Sequence, residues 1–123
     1  MPTRSATYTG NKGGECNATE RLAHCLRCDF TCPYCGCDLK RAKVVSMDHV
    51  VAQIWGGTKT ERNIVACCGS CNSSKKHKLL RDFAAGRGDM EIVRRVRSIT
   101  NRKLARYLTQ AERIIGEQNE KAV

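Results

Sequence analysis

Three cysteine pairs spaced C-x2-C, at 25/28, 32/35 and 68/71, and the dipeptide Asp48-His49 hold most of the chemistry open to this 123-residue chain. Cys32-Pro33-Tyr34-Cys35-Gly36 reads as a tight turn whose glycine lets the backbone fold around a metal. Cys68 and Cys71 form a second such turn. The two pairs together supply four thiolates, the set a tetrahedral structural zinc requires with no position left open. One pair precedes Asp48-His49 and the other follows it, so a single zinc would staple both ends of the intervening unit. A small domain needs such support. Cys67 competes with Cys68, but only Cys68 has x2 spacing to Cys71. Cys37 is expected to be a bystander, because a second ligand so close to Cys35 would crowd the site.

Neighbouring residues at a strand end point in different directions. Asp48 and His49 can therefore divide two tasks between them. Histidine is suited to take a proton from water near neutral pH, and aspartate is a hard oxygen ligand for Mg²⁺. Asn72, just past the second cysteine pair, has two readings: a second ligand through its amide oxygen, or a helix cap.

The charge balance narrows the class of partner. Lys plus Arg is 22 against 12 Asp plus Glu, a formal net charge of +10. On so short a chain this favours nucleic acid or another polyanion. Nine cysteines fit a secreted disulfide scaffold poorly. Their number is odd, and six fall in spacings that suit metals. Residues 1–15 are polar and glycine-rich and do not read as a signal peptide, so an intracellular, reducing compartment is expected. No apolar run approaches a membrane span.

The remaining segments must position these residues. Residues 1–14 read as a flexible basic arm. Residues 18–29 read as a helix capped by Thr19, with Leu22, Cys25, Leu26 and Phe30 on one face. Cys25 and Cys28 are either small buried apolar side chains or, with Cys16 and His24, ligands of a second zinc. Residues 43–47 predict a strand leading into Asp48-His49, Gly56-Gly57-Thr58 a loop, and residues 63–67 a second strand. A short helix is expected from Asn72 to about Lys78, and another from Leu79 to Ala85. Asp89 is expected to cap a helix with Val93 and Val96 inward. Thr100 or Asn101 is expected to cap a last one, with a stripe of Leu104, Tyr107, Leu108, Ala111, Ile114 and Ile115 that ends at Gly116. Arg94, Arg95, Arg97, Arg102, Lys103 and Arg106 fall largely off these stripes.

Taken in order, Cys32-x2-Cys35-Gly36, Asp48-His49, Gly56-Gly57, Asn63-Ile64-Val65 and Cys68-x2-Cys71-Asn72-x2-Lys75 resemble the HNH endonucleases, whose core is the ββα-metal fold. The resemblance spans residues 32 to about 78. It implies an α+β class: a small zinc-stapled ββα-metal core with added N- and C-terminal helices. The expected layout is one nuclease domain over 15–123, its motif core at 32–78 and C-terminal helices at 79–118. By resemblance, His49 is the general base and Asn63 braces the loop and positions that base. Asp48 and Asn72 hold one catalytic Mg²⁺ or similar ion, Lys75 meets a phosphate, and Cys32, Cys35, Cys68 and Cys71 hold the structural zinc. Proline often follows Asp-His shortly in this family; Ala52 and Gln53 stand there instead. His77 lies five residues past Asn72, off the face a helix would share with it, and is expected to be exposed.

The function implied is metal-dependent cleavage of DNA. The alternative is a non-catalytic zinc module that binds nucleic acid. It leaves the joint presence of Asp48, His49, Asn63 and Asn72 without a reason. A redox role for Cys32-Pro33-Tyr34-Cys35 lacks the βαβ surroundings it needs. With one Asp48-His49 per chain, and the 104–115 stripe needed by the domain's own core, the expectation is a monomer that nicks first; a two-fold dimer would cut both strands.

Overall fold

The computed structural model describes residues 16–121. The expected basic arm at 1–14 lies outside these residues. Five α-helices and one two-stranded antiparallel sheet make up the described part, an α+β arrangement.

The sheet is β1 (Val45–His49) paired with β2 (Ile64–Cys68), in the register Val45 opposite Cys68 and His49 opposite Ile64. Every residue of β2 is buried. The uninterrupted Ile-Val-Ala-Cys-Cys run suits a strand covered on both faces. β1 starts two residues later than its composition predicts, and pairing carries it through Asp48-His49 rather than stopping before them.

Helix α1 (Ala18–Arg27) is capped by Asn17, not Thr19. Asn17 accepts from the Glu20 N–H at 2.8 Å, and the Glu20 carboxylate accepts from the Asn17 N–H at 3.3 Å. This reciprocal pair satisfies two otherwise orphaned donors. Helix α2 (Gly69–Lys75) follows β2 directly and packs on both strands. Helices α3 (Leu80–Gly86) and α4 (Glu91–Thr100) pack on each other, and α4 also reaches β2. Ile92, Val96 and Ile99 are the buried apolar residues of α4; Val93 is half-buried. The backbone of α4 is capped at Met90, and Asp89 instead pairs with Arg95 at 2.7 Å.

Helix α5 (Leu104–Lys121) passes through Gly116 and runs to Lys121. Its Leu104 N–H donates to Glu61 at 2.7 Å, a distant carboxylate serving the helix start. The 104–115 stripe lies against α1, with Ala111 fully buried and the rest half-buried. Cys25 and Cys28 belong to the apolar core with Tyr34, Leu39, Val65, Phe83 and Ile92. His24 is buried beside Arg27, whose guanidinium donates to the carbonyls of Glu61 (2.7 Å) and Ile64 (2.6 Å).

Candidate functional site

The end of β1 is held from the inside. Asp48 is 5% exposed, and its Oδ2 accepts from the Tyr34 hydroxyl at 2.5 Å. The same oxygen lies 3.1 Å from Lys75 Nζ. That ammonium also donates to the carbonyls of His49 (3.2 Å) and Val50 (3.1 Å). Lys75 is fully buried. It was expected at a phosphate, but the site needed its charge beneath Asp48, and no part of it is accessible to a ligand. Tyr34 enters the network from the first cysteine turn and packs edge-on against Phe83 at 5.3 Å. Burial, and then the neighbouring Asp48 charge, raise its phenol well above the usual range.

The loop between the strands is closed by Asn63. Its Oδ1 accepts from the Val51 N–H at 2.8 Å, and its Nδ2 donates to the carbonyls of Val51 (3.1 Å) and Thr58 (3.0 Å). Its own carbonyl accepts from the Val50 N–H at 2.8 Å. Gly57 lies directly beneath: a Cβ there would stand 1.7 Å from the Val51 carbonyl oxygen and 2.9 Å from Asn63 Nδ2. The backbone of the loop approaches too closely for any side chain.

Between the β1 end, the loop and α2 opens a cavity of about 300 Å³. Asp48, His49, Gln53, Asn72, Lys76 and His77 are among its walls. Three of the expected residues, Asp48, His49 and Asn72, thus meet there. Asn72 lies within α2, whose cap is Cys68, so it is not a helix cap. His77 is exposed, as its spacing predicts, yet it reaches the cavity. The helix stops at Lys75, and Lys76 turns the chain with φ 51°. The face argument that set His77 apart holds only while the helix continues.

The thiols gather elsewhere. Cys32, Cys35, Cys37 and Cys68 have sulfurs all within 4.8 Å of one another, close enough to hold a metal ion and consistent with zinc. This is the one such His/Cys/Asp/Glu group among the described residues. Cys37 joins because the first turn closes on itself: the Cys32 N–H donates to the Cys37 carbonyl at 2.9 Å, and the Gly36 N–H, at φ 81°, to the Cys32 carbonyl at 2.8 Å. Cys71 stands beside the group. Its N–H donates to Cys68 Sγ at 3.4 Å, and its own sulfur accepts from Arg87 at 3.2 Å. Burial pushes the Cys32, Cys37 and Cys71 thiols up, Cys37 to about 12. Burial acts on Cys35 in the same sense, but the Cys37 N–H and the Cys37, Cys71 and Cys32 thiols outweigh it and bring Cys35 down to about 7. A bound cation would favour the thiolate at all of them.

A larger cavity, about 720 Å³, lies by the first cysteine turn, where Arg94, Arg95 and Arg102 line it. Those arginines are engaged with Glu91, Asp89 and the Arg27 carbonyl. It holds none of Asp48, His49 and Asn72, so chemistry and volume part company here.

No helix among the described residues is long and apolar enough to cross a membrane. Neither the curated proteins nor the solved structures contain a match to this chain. Residues 32–85, which contain both cysteine turns, the β1 end, the Asn63 loop and α2, match the family model described as HNH endonuclease.

Proposed function

We propose that this chain is a metal-dependent endonuclease that hydrolyses phosphodiester bonds in DNA, and that β1, β2 and α2 form its ββα-metal core. The observation that carries the reading is the meeting of Asp48, His49 and Asn72 on one 300 Å³ cavity, apart from the thiol cluster. A structural metal and a reaction site thus have separate places.

The donors fit their ions. The Asp48 carboxylate and the Asn72 amide are hard oxygen ligands, suited to Mg²⁺. Such an ion supplies charge stabilisation for the phosphate as it reacts. His49 takes the proton of the attacking water. Tyr34 and Lys75 hold Asp48 Oδ2 and so fix the carboxylate's orientation. Lys75 and Asn63 also hold the backbone on either side of Val50, which keeps the imidazole of His49 from drifting.

The zinc ligands in this reading are Cys32, Cys35, Cys68 and Cys71, the thiols of the two turns. Arg87 lies on the Cys71 sulfur, where a guanidinium favours the thiolate. Cys37 is then a fifth thiol within reach. The net charge of +10 suits a polyanion, and the exposed cation Lys76 lines the cavity. The α5 stripe is covered by α1, which supports a monomer that cuts one strand at a time. Incubation with supercoiled plasmid, with Mg²⁺ and with a chelator, tests the proposal. Nicked circles formed only with Mg²⁺ support it. Salt-sensitive binding with no cleavage in any divalent ion would replace it with the non-catalytic module.

A further inference from the structure

His77 is the histidine of the cavity that the mechanism above leaves unused, and this inference rests on that mechanism. Two features bring it there. Lys76 adopts φ 51°, a region that a residue with a side chain occupies only when the surroundings demand it. Its N–H still donates to the Asn72 carbonyl at 3.1 Å, so the turn is tight against the helix end. Beyond it, the His77 carbonyl accepts from Trp55 Nε1 at 2.9 Å. Trp55 ends the short 3-10 turn Gln53–Trp55, whose Gln53 and Ile54 line the same cavity. The turn that carries His77 is therefore fixed at both ends, and His77 lines the same cavity as His49.

Hydrolysis of a phosphodiester moves two protons. The bond from the water oxygen to phosphorus forms as the bond from phosphorus to the leaving oxygen breaks. His49 takes the water's proton, and the leaving oxygen must gain one. The other charged groups in the cavity are poor donors. Asp48 is an acceptor, already engaged by Tyr34 and Lys75. Lys76 is a flexible, strongly hydrated point charge, suited to pairing with a phosphate rather than to aiming a proton at one oxygen. Imidazole is matched to the task. We propose that His77 is a second catalytic imidazole, which donates its proton to the leaving oxygen while His49 receives that of water. The two histidines end the step with exchanged protonation states and are reset by solvent.

The test uses a duplex containing a site the wild-type protein cuts, made in three forms: with oxygen throughout, and with the 3′ or the 5′ bridging oxygen of the scissile phosphate replaced by sulfur. A thiolate leaves without a proton, since thiols ionise near pH 8.5 and alcohols far higher. Rates are taken in Mn²⁺ as well as Mg²⁺, because Mg²⁺ binds sulfur weakly. His77→Ala should slow the oxygen substrate by about 10²–10⁴-fold. It should cleave one of the two sulfur substrates at close to the wild-type rate, and that substrate identifies the leaving atom. His49→Ala should be slow on all three. His77 is exposed, so zinc content and thermal unfolding of His77→Ala should match wild type; His77→Gln gives a second variant of similar size. An unchanged rate on the oxygen substrate overturns the assignment. So does an equal loss on all three substrates, the mark of a residue that binds phosphate or the ion. A wild-type protein that cuts nothing fails the nuclease reading itself, and this proposal falls with it.

Discussion

Replacing Lys75 with methionine removes an ammonium and keeps a stem of similar length. That ammonium is fully buried, 3.1 Å from Asp48 Oδ2 and within 3.2 Å of the His49 and Val50 carbonyls. Without it, a carboxylate that is 5% exposed keeps the Tyr34 hydroxyl but has lost its cation. Removing one partner of a buried pair costs about 3–5 kcal/mol, mostly because the other charge is stranded. Against a typical stability of about 5–15 kcal/mol, such a loss leaves the domain marginal. The stranding argument makes a second demand. Asp48→Asn in the Lys75→Met background removes the lone charge, so the double variant should be more stable than Lys75→Met alone. The assay is urea unfolding of the zinc-loaded proteins at neutral pH, followed by the fluorescence of Trp55, the chain's one tryptophan. The Lys75→Met midpoint should fall by more than about 1 M. A cost below about 1 kcal/mol, the range of an exposed pair, would refute the buried network. A double variant less stable than the single would refute the stranding.

Other expectations follow from the same geometry. Burial, and then Arg27, lower the His24 pKa from 6.5 to about 4, so the unfolded chain takes up a proton that the folded one refuses. His24 neutrality therefore contributes fully above about pH 6.5, and stability falls by about 3 kcal/mol as pH drops towards 4. Unfolding free energies of wild type and His24→Gln across that window should converge at acid pH, and parallel curves would contradict the reading. Asn63→Ala deletes three loop hydrogen bonds and should cost about 1–3 kcal/mol, with a larger fall in cleavage than in DNA affinity measured by titration. Gly57→Ala must push the Val51 carbonyl aside and should act in the same direction, seen in the same two assays. Metal analysis should find zinc retained in Cys37→Ser and lost, with the fold, in Cys71→Ser; the reverse would give Cys37 the fourth place.

The residues of the site were legible where the information is spacing. Two C-x2-C turns flanking Asp48-His49 are visible in the order of the chain, and the fold brings Asp48, His49 and Asn72 to one cavity. What a lysine or cysteine does depends on who closes over it. Nothing local distinguishes Lys75 from the many surface cations of a basic chain, and its burial comes from helix α2 lying on the sheet. Cys37 joins the thiols through one backbone bond to Cys32, and His77 reaches the cavity through the Lys76 turn; neither is a periodic feature. Tyr34 read as part of a metal turn, with no local sign that it would face a carboxylate 14 positions away. Helix ends were misread for similar reasons. Asn17, with Glu20, forms the better cap two residues before Thr19. Gly116 is tolerated inside α5, a helix interior glycine costing only about 1 kcal/mol.

The central claim is that His49 takes a proton from water in a cavity where Asp48 and Asn72 hold a divalent ion. Its most direct test is the single-turnover rate of His49→Ala on a DNA substrate that wild type cuts in Mg²⁺, with zinc content and DNA affinity measured on the same samples. The account predicts a fall of at least about 10²-fold in the cleavage rate with zinc and affinity unchanged. Cleavage at the wild-type rate by a zinc-loaded, DNA-bound His49→Ala protein would contradict it.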